Sequence, residues 1–151
     1  MIIDVNNEQE MISTGKRIGA LLNGGEIIEL IGDVGSGKTT LTKGLALGLA
    51  IHDNIQSPSF TINRLYKCRD GLILAHYDFY RLSDAGIMAN EISETLNDNK
   101  TITVIEWGDI VEKILPADRI SIRISALTES SRRLEINYGG EKNKNIIEAL
   151  L

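Results

Sequence analysis

Residues 32–40 form a glycine-rich run that ends in a lysine and two threonines. The run fits G-x-x-x-x-G-K-[ST], the Walker A or P-loop pattern that holds nucleotide phosphates. Glycines permit positive φ, so backbone N–H groups can surround a phosphate, while the lysine adds charge and the threonine hydroxyl can bind Mg²⁺. A chance glycine-rich turn that opens a helix is the alternative. The predicted phosphate-binding residues are Gly32, Asp33, Val34, Gly35, Ser36, Gly37, Lys38, Thr39 and Thr40, with Thr39 also a metal ligand.

Two carboxylates, Asp78 and Glu106, each follow an apolar, strand-like segment. Ligands of open α/β sheets bind outside the carboxyl ends of the strands, so we expect both side chains near the phosphates. We assign Asp78 to the Mg²⁺ shell, directly or through water. We assign Glu106 to orienting or deprotonating the attacking water, and as a second possible metal ligand. The two roles can be exchanged on sequence grounds, and a surface or capping carboxylate is the alternative for each.

Residues 57–61, Ser-Pro-Ser-Phe-Thr, place three hydroxyl groups in five positions downstream of the glycine loop. Pro58 excludes a central strand here. The segment resembles a switch loop that offers a hydroxyl or a carbonyl to Mg²⁺ or the γ-phosphate. An ordinary polar turn is the equal alternative.

Arg81 and Trp107 lie next to the predicted carboxylates in sequence. Arg81 can neutralise phosphate charge, or instead pair with Glu91 or Glu94. Trp107, the only tryptophan, is either core packing or an aromatic platform near the site or a partner.

The elements around these residues predict an α/β, three-layer P-loop NTPase-type fold, with a mixed sheet that has a parallel core plus antiparallel strands. A strand precedes the glycine loop and a helix with leucines on one face follows it, which is the context the motif requires. Residues 69–71, Arg-Asp-Gly, predict a hairpin turn. Expected strands are 1–5, 26–31, 62–68, 72–77, 101–105, 119–125 and 134–138, and expected helices are 7–22, 41–49, 83–97 (weak), 109–115 and 141–151.

The composition predicts one globular domain, residues 1–151, and restricts its partners. Of the residues, 42% are hydrophobic and 25% charged, and the net charge of −5 argues against broad nonspecific binding to nucleic acid or acidic membranes. A single cysteine, Cys68, excludes an internal disulfide framework and suits a reducing compartment, so no disulfide-linked partner is expected. No apolar run has the length of a membrane span and the first residues lack signal-peptide features, so a cytoplasmic location without membrane contact is expected.

Taken together, these motifs resemble the TsaE family, also called YjeE. The resemblance rests on the order of residues 32–40, Ser-Pro-Ser-Phe-Thr at 57–61, His-Tyr-Asp-Phe-Tyr-Arg-Leu at 76–82 and Ile-Glu-Trp at 105–107, within about residues 10–116. It implies a weak Mg-dependent ATPase that binds ATP and works with the TsaB–TsaD complex in the threonylcarbamoyl-adenosine modification of tRNA. ATP hydrolysis would reset that complex between catalytic cycles, and this protein would act on tRNA only indirectly, through the complex. The implied functional residues are Lys38, Thr39, Ser59, Thr61, Asp78, Tyr80, Arg81, Glu106 and Trp107.

The sequence departs from the family pattern at two places. Ser59 stands where the family usually has threonine, which keeps the hydroxyl but leaves its rotamer less restrained. Residues 87–92 match the family's Gly-Leu-Glu-Glu-like stretch only loosely, which bears on partner contacts more than on nucleotide binding.

Two other functions use the same loop. A small-molecule kinase is the alternative function, although the dense arginine cluster of a kinase lid is missing from the sequence. A GTP-binding switch would need an Asn-Lys-x-Asp motif, which the sequence lacks.

Overall fold

The fold is a seven-stranded mixed sheet covered by helices on both faces, in a computed structural model that describes residues 1–58, 62–82, 86 and 88–151. The strand order is β1-β7-β6-β2-β5-β4-β3. The strands are β1 (Ile2–Val5), β2 (Ile27–Ile31), β3 (Asn63–Lys67), β4 (Ile73–Asp78), β5 (Thr101–Glu106), β6 (Ile120–Ala126) and β7 (Arg132–Tyr138). The α-helices are α1 (Glu8–Leu21), α2 (Lys38–Gly48), α3 (Met88–Leu96) and α4 (Glu141–Glu148).

The sheet has the predicted parallel core with antiparallel additions. Strands β6, β2, β5 and β4 pair in parallel, whereas β7 and β1 extend one side antiparallel and β3 the other. The Arg-Asp-Gly turn joins β3 to β4 as the predicted hairpin. The α/β fold with a mixed sheet is therefore confirmed.

Two hydrophobic clusters, one on each face of the sheet, make the three layers. One cluster joins alternate strand residues to α1, α2 and α4, with Ile18, Leu45 and Ile146 as examples from these helices. The other joins the opposite strand faces to α3 and a 3₁₀ segment, with Ile92 and Val111 as examples. Because the sheet core is parallel, both of its faces need such cover.

The close crossing of α1 and α2 fixes the helix that follows the glycine loop. A Cβ on Gly15 would lie only 2.5 Å from the carbonyl oxygen of Leu41, and one on Gly19 would overlap the backbone of Leu45. Asn7 caps α1, since its side chain accepts a hydrogen bond of 2.9 Å from the N–H of Glu10. The two glycines thus allow the backbones of α1 and α2 to contact each other directly.

Three sequence-based expectations differ from the structure. Residues Gly108–Ile114 form a 3₁₀ segment instead of an α-helix, in a run of only seven residues. Tyr138, for which the alternation of residues 134–138 predicts an inward side chain, is 41% exposed at the last position of β7. Asp78 and Glu106 are the last residues of β4 and β5 and not the first residues after them, because the parallel ladder continues to that pair. Of the described helices, none is long and apolar enough to cross a membrane.

Candidate nucleotide-binding site

The predicted site residues converge on one cavity of about 370 Å³ at the carboxyl ends of the parallel strands. The loop between β2 and α2 forms one wall, and the ends of β4 and β5 form another. Ser59 and Thr61 lie outside the described residues, although Ser57, at the start of the same segment, borders the cavity. The lining residues are Val34, Gly35, Gly37, Lys38, Thr39, Thr40, Ser57, Asp78, Tyr80, Arg81, Glu106 and Trp107.

The remaining three loop residues, Gly32, Asp33 and Ser36, do not belong to the lining of this cavity. A Cβ on Gly32 would lie 2.6 Å from Oγ of Ser36, so this position needs glycine for steric reasons. Gly35 and Gly37 have φ values of 78° and 111°, in the region that favours glycine. The loop therefore adopts the backbone conformation that the P-loop pattern predicts.

Lys38 is buried within the loop that it follows. Its Nζ donates hydrogen bonds to the carbonyl oxygens of Gly32 (2.7 Å) and Asp33 (2.8 Å). Burial lowers the pKa of Lys38 below its ordinary value, and the negative charges of Glu106, Asp78 and Asp33 partly oppose that shift. The ammonium group thus borders the cavity next to both predicted carboxylates.

Asp78 and Glu106 are brought side by side by the sheet. They occupy paired positions in the parallel β4–β5 register, and both are nearly buried. Oδ2 of Asp78 accepts a hydrogen bond of 3.0 Å from the hydroxyl of Ser57, and Oδ1 accepts one of 3.0 Å from the N–H of Tyr80. Ser57, the first residue of the predicted switch segment, is thereby hydrogen-bonded to Asp78, a predicted metal ligand.

His76 is a polar residue of the site that sequence reasoning missed. Its Nε2 lies 2.9 Å from Oε2 of Glu106, and the imidazole is completely buried. A signal was present, because His76 precedes Asp78 by two residues on one strand and so shares its face of the sheet. The contact with Glu106 depends on the β4–β5 register, which the sequence does not provide.

Trp107 forms part of the cavity wall directly after Glu106. Its φ of 57° and ψ of 47° are left-handed, which is uncommon for a residue without glycine's freedom. The ring lies 4.9 Å from that of Tyr80, and Nζ of Lys38 lies 4.8 Å from the Trp107 ring centroid. The half-buried ring also packs against the second hydrophobic cluster, so Trp107 both borders the cavity and contributes to core packing.

The donor set around the cavity fits Mg²⁺. Asp78 and Glu106 supply carboxylate oxygens, and Thr39 supplies a hydroxyl at the start of α2. Hard cations such as Mg²⁺ prefer such oxygen ligands and usually complete their shell with water and substrate phosphates. These three residues are the ones that the sequence predicted as metal ligands.

A second cavity of about 340 Å³ lies on the other side of the glycine loop and shares Gly35, Gly37 and Thr40 with the first. The start of α1 and the β6–β7 turn complete its wall. Arg132 fastens this turn to the loop, because its Nε donates a hydrogen bond of 3.0 Å to the carbonyl oxygen of Ser36. Sequence reasoning did not place this turn near the site, since no local motif marks the contact.

The strand, glycine loop and helix, with two carboxylates at neighbouring strand ends, define a P-loop fold. The sequence profile described as "Threonylcarbamoyl adenosine biosynthesis protein TsaE" matches residues 5–134. The chain therefore belongs to the TsaE family, and the resemblance inferred from its motifs is confirmed.

Similar proteins agree with this assignment. A Streptomyces coelicolor protein named tRNA threonylcarbamoyladenosine biosynthesis protein TsaE is 36% identical over 115 residues, covering 76% of this chain and 78% of its own. The protein of the same name from Borreliella burgdorferi is 36% identical over 140 residues, covering 91% and 99%. A crystal structure of Bacillus subtilis YdiB superposes with a TM-score of 0.81 at 29% identity, covering 99% of this chain and 93% of that one.

Proposed function

We propose that this protein is an ATP-binding, ATP-hydrolysing accessory subunit for the threonylcarbamoyl-adenosine modification of tRNA, acting on the TsaB–TsaD complex. The observation that carries the proposal is one cavity bordered by the P-loop lysine and by two adjacent carboxylates, Asp78 and Glu106. Family membership and the names of the relatives support the pathway.

Phosphate binding is assigned to the loop amides and to Lys38. The N-terminus of α2 adds the positive end of its helix dipole at the same place. In the structure, Lys38 donates to the carbonyls of Gly32 and Asp33, so a β- or γ-phosphate oxygen would compete for the same ammonium donors. Arg81, which also borders the cavity, adds a second positive charge for the terminal phosphate.

The metal is assigned to Thr39 and Asp78, with Glu106 within the same cavity. When bound with the nucleotide, Mg²⁺ would be held by Thr39 and Asp78 and would supply positive charge next to the phosphates. Asp78 is restrained by Ser57 and by the N–H of Tyr80, so its carboxylate is already oriented before a ligand arrives. Preorganisation of this kind reduces the reorganisation required during reaction.

Glu106 is assigned to the attacking water. Its Oε2 is engaged by His76, while Oε1 has no hydrogen-bond partner among the described residues. A carboxylate oxygen that borders the phosphate cavity can accept a hydrogen bond from water and aim the water's oxygen at the γ-phosphate. This assignment leaves Asp78 and Glu106 with different tasks, as the sequence predicted.

The nucleoside part of ATP is assigned to the second cavity. The two cavities share Gly35, Gly37 and Thr40, so a nucleotide whose phosphates follow the loop passes from one to the other. The γ-phosphate end then faces Glu106, and the base faces the β6–β7 turn.

The contact with TsaB–TsaD is assigned to the mouth of the first cavity, which holds the phosphates in this proposal. Val34 is 73% exposed and Tyr80 is 54% exposed, and both border this cavity. Apolar and aromatic groups on a surface are typical of protein contacts. A net charge of −5 agrees with indirect involvement of tRNA, and the proposed pathway is cytoplasmic.

The test is phosphate release from ATP by the purified protein, alone and with TsaB and TsaD. We expect slow, Mg-dependent hydrolysis that the complex stimulates. Lys38→Ala should reduce hydrolysis by about 10²–10³-fold because a charge contact to the phosphates is lost. Lys43→Ala is the matched control, since Lys43 lies on the same helix away from the cavity lining.

Three outcomes would contradict the proposal or a part of it. Failure of TsaB–TsaD to bind or stimulate the protein would remove the assigned partner. Stoichiometric transfer of the γ-phosphate to a metabolite would instead favour the small-molecule kinase. Equal binding of GTP and ATP would leave the choice of ATP without support.

A further inference from the structure

The completely buried His76 is not explained by packing alone. Its neighbours on the same face of β4 are Leu74, which belongs to the hydrophobic core, and Asp78, which borders the cavity. An imidazole in such a position loses its hydration, and the loss is compensated only where a ring nitrogen finds a partner. The partner of Nε2 is Glu106, at 2.9 Å, and Nδ1 has none among the described residues.

This contact determines where the imidazole hydrogen lies. An ionised carboxylate only accepts hydrogen bonds, so Nε2 must carry the hydrogen and donate it to Oε2 of Glu106. The distance of 2.9 Å is normal for an N–H···O bond. The backbone of β4, paired with β5, holds the ring in place.

We propose that His76 is a positioning residue for Glu106, which it holds so that Oε1 faces the phosphate cavity. A glutamate at a strand end has three side-chain torsions, and Lys38 attracts its carboxylate while the adjacent Asp78 repels it. The hydrogen bond from His76 fixes the position of Oε2 of Glu106 among these charges. The role rests on the proposed function, in which Glu106 orients water.

The pairing itself is tested without any activity measurement. Long-range ¹H–¹⁵N spectra of the protein labelled in its two histidines report which ring nitrogen carries the hydrogen. The exposed His52 is assigned by its disappearance in His52→Gln. We expect the Nε2–H tautomer for His76 in the wild type. In Glu106→Leu, we expect the Nε2 hydrogen of His76 to lose its protection from exchange with solvent. An Nδ1–H tautomer in the wild type would overturn the proposal.

The positioning role is tested by kinetics of two His76 variants, with and without TsaB–TsaD. Glutamine places an amide N–H close to the position of Nε2, whereas leucine fills the space without a donor. We expect His76→Leu to lower kcat at least tenfold with KM within twofold of the wild type, and His76→Gln to restore kcat to within threefold. A wild-type kcat in His76→Leu, or equal impairment of both variants, would overturn the role.

A double variant separates positioning from a general loss of stability. In the Glu106→Gln background, His76→Leu should change kcat less than twofold, because the carboxylate through which it acts is absent. A full tenfold loss in that background would show that His76 acts elsewhere. Absence of hydrolysis in the wild type would contradict the proposed function, and the tautomer measurement would still decide whether the His76–Glu106 pair exists as described.

Discussion

Gly37→Ala is the substitution whose consequences can be worked out most fully from the structure. Gly37 precedes α2 with φ 111° and ψ 15°, and a Cβ there would lie 3.2 Å from Cε of Met11. Left-handed backbone costs an L-residue about 1–2 kcal/mol, and the tight methyl contact adds to it. We expect a loss of about 1–2 kcal/mol in the free energy of unfolding, after the smaller entropy of the unfolded alanine chain is subtracted.

Gly71→Ala provides the matched control. Gly71 has φ 72°, its Cβ would meet no atom within 4 Å, and it lies in the exposed β3–β4 turn away from both cavities. Its cost should be about 1 kcal/mol, from backbone conformation alone. In a chain of 151 residues, each 1 kcal/mol corresponds to about 2–4 °C in Tm. Both variants should therefore fold, with lowered melting temperatures.

The assay is the shift in Tm produced by ADP and Mg²⁺. At one hundred times the wild-type Kd, a ligand stabilises the folded state by about 2.7 kcal/mol, which is about 5–10 °C for this chain. Wild type and Gly71→Ala should show this shift, whereas Gly37→Ala should show less than about a tenth of it, because the added methyl distorts the amides that face the phosphate. An undiminished shift in Gly37→Ala would refute the phosphate-cradle reasoning. Loss of the Tm shift in Gly71→Ala would refute the inference that the effect on nucleotide binding is specific to the glycine loop.

Three further predictions concern the site wall and the sheet edge. Glu106→Gln should bind ATP normally and hydrolyse it about 10²-fold more slowly, measured as single-turnover phosphate release. Trp107→Gly should be more stable to urea than Trp107→Ala by about 1 kcal/mol, because position 107 has left-handed backbone. The Arg133 guanidinium lowers the pKa of Asp4, so the pair stabilises the fold above the pKa of the unfolded chain and loses that effect as pH falls through the folded value. Arg133→Gln should raise the pKa of Asp4 in a carboxyl NMR titration; an unchanged pKa would contradict the assignment.

The sequence predicted those parts of the fold that are determined locally. The glycine loop, its strand and its helix are contiguous, and the strict alternation in residues 120–124 marks a strand with one buried face. The strand-end rule also placed Asp78 and Glu106 together, because the rule depends on strand direction alone. Their catalytic roles remain predictions.

The other features depend on pairings between distant residues. The contact of His76 with Glu106 requires the β4–β5 register, and the approach of Arg132 to Ser36 requires the β6–β7 hairpin to lie beside the loop. Hydrophobic periodicity identifies a strand and its buried face but not its register with a neighbour. Alternation also predicted correctly a strand that ends at Tyr138, but periodicity alone does not determine how exposed the residue at the end of a strand is.

The charges around the proposed phosphate cavity lead to the prediction that the metal complex of the nucleotide, and not free ATP, is the ligand. Asp33, Asp78 and Glu106 act on Lys38, and Arg81 is the other basic side chain of the lining. Three carboxylates and two cations leave this cluster with a formal net charge of −1, which would repel the negative charge of free ATP. A bound Mg²⁺ changes the sign of that balance, so nucleotide and metal should bind with mutual reinforcement. We therefore predict that the paired carboxylates select for Mg-nucleotide, while Lys38 and the loop amides hold the phosphates.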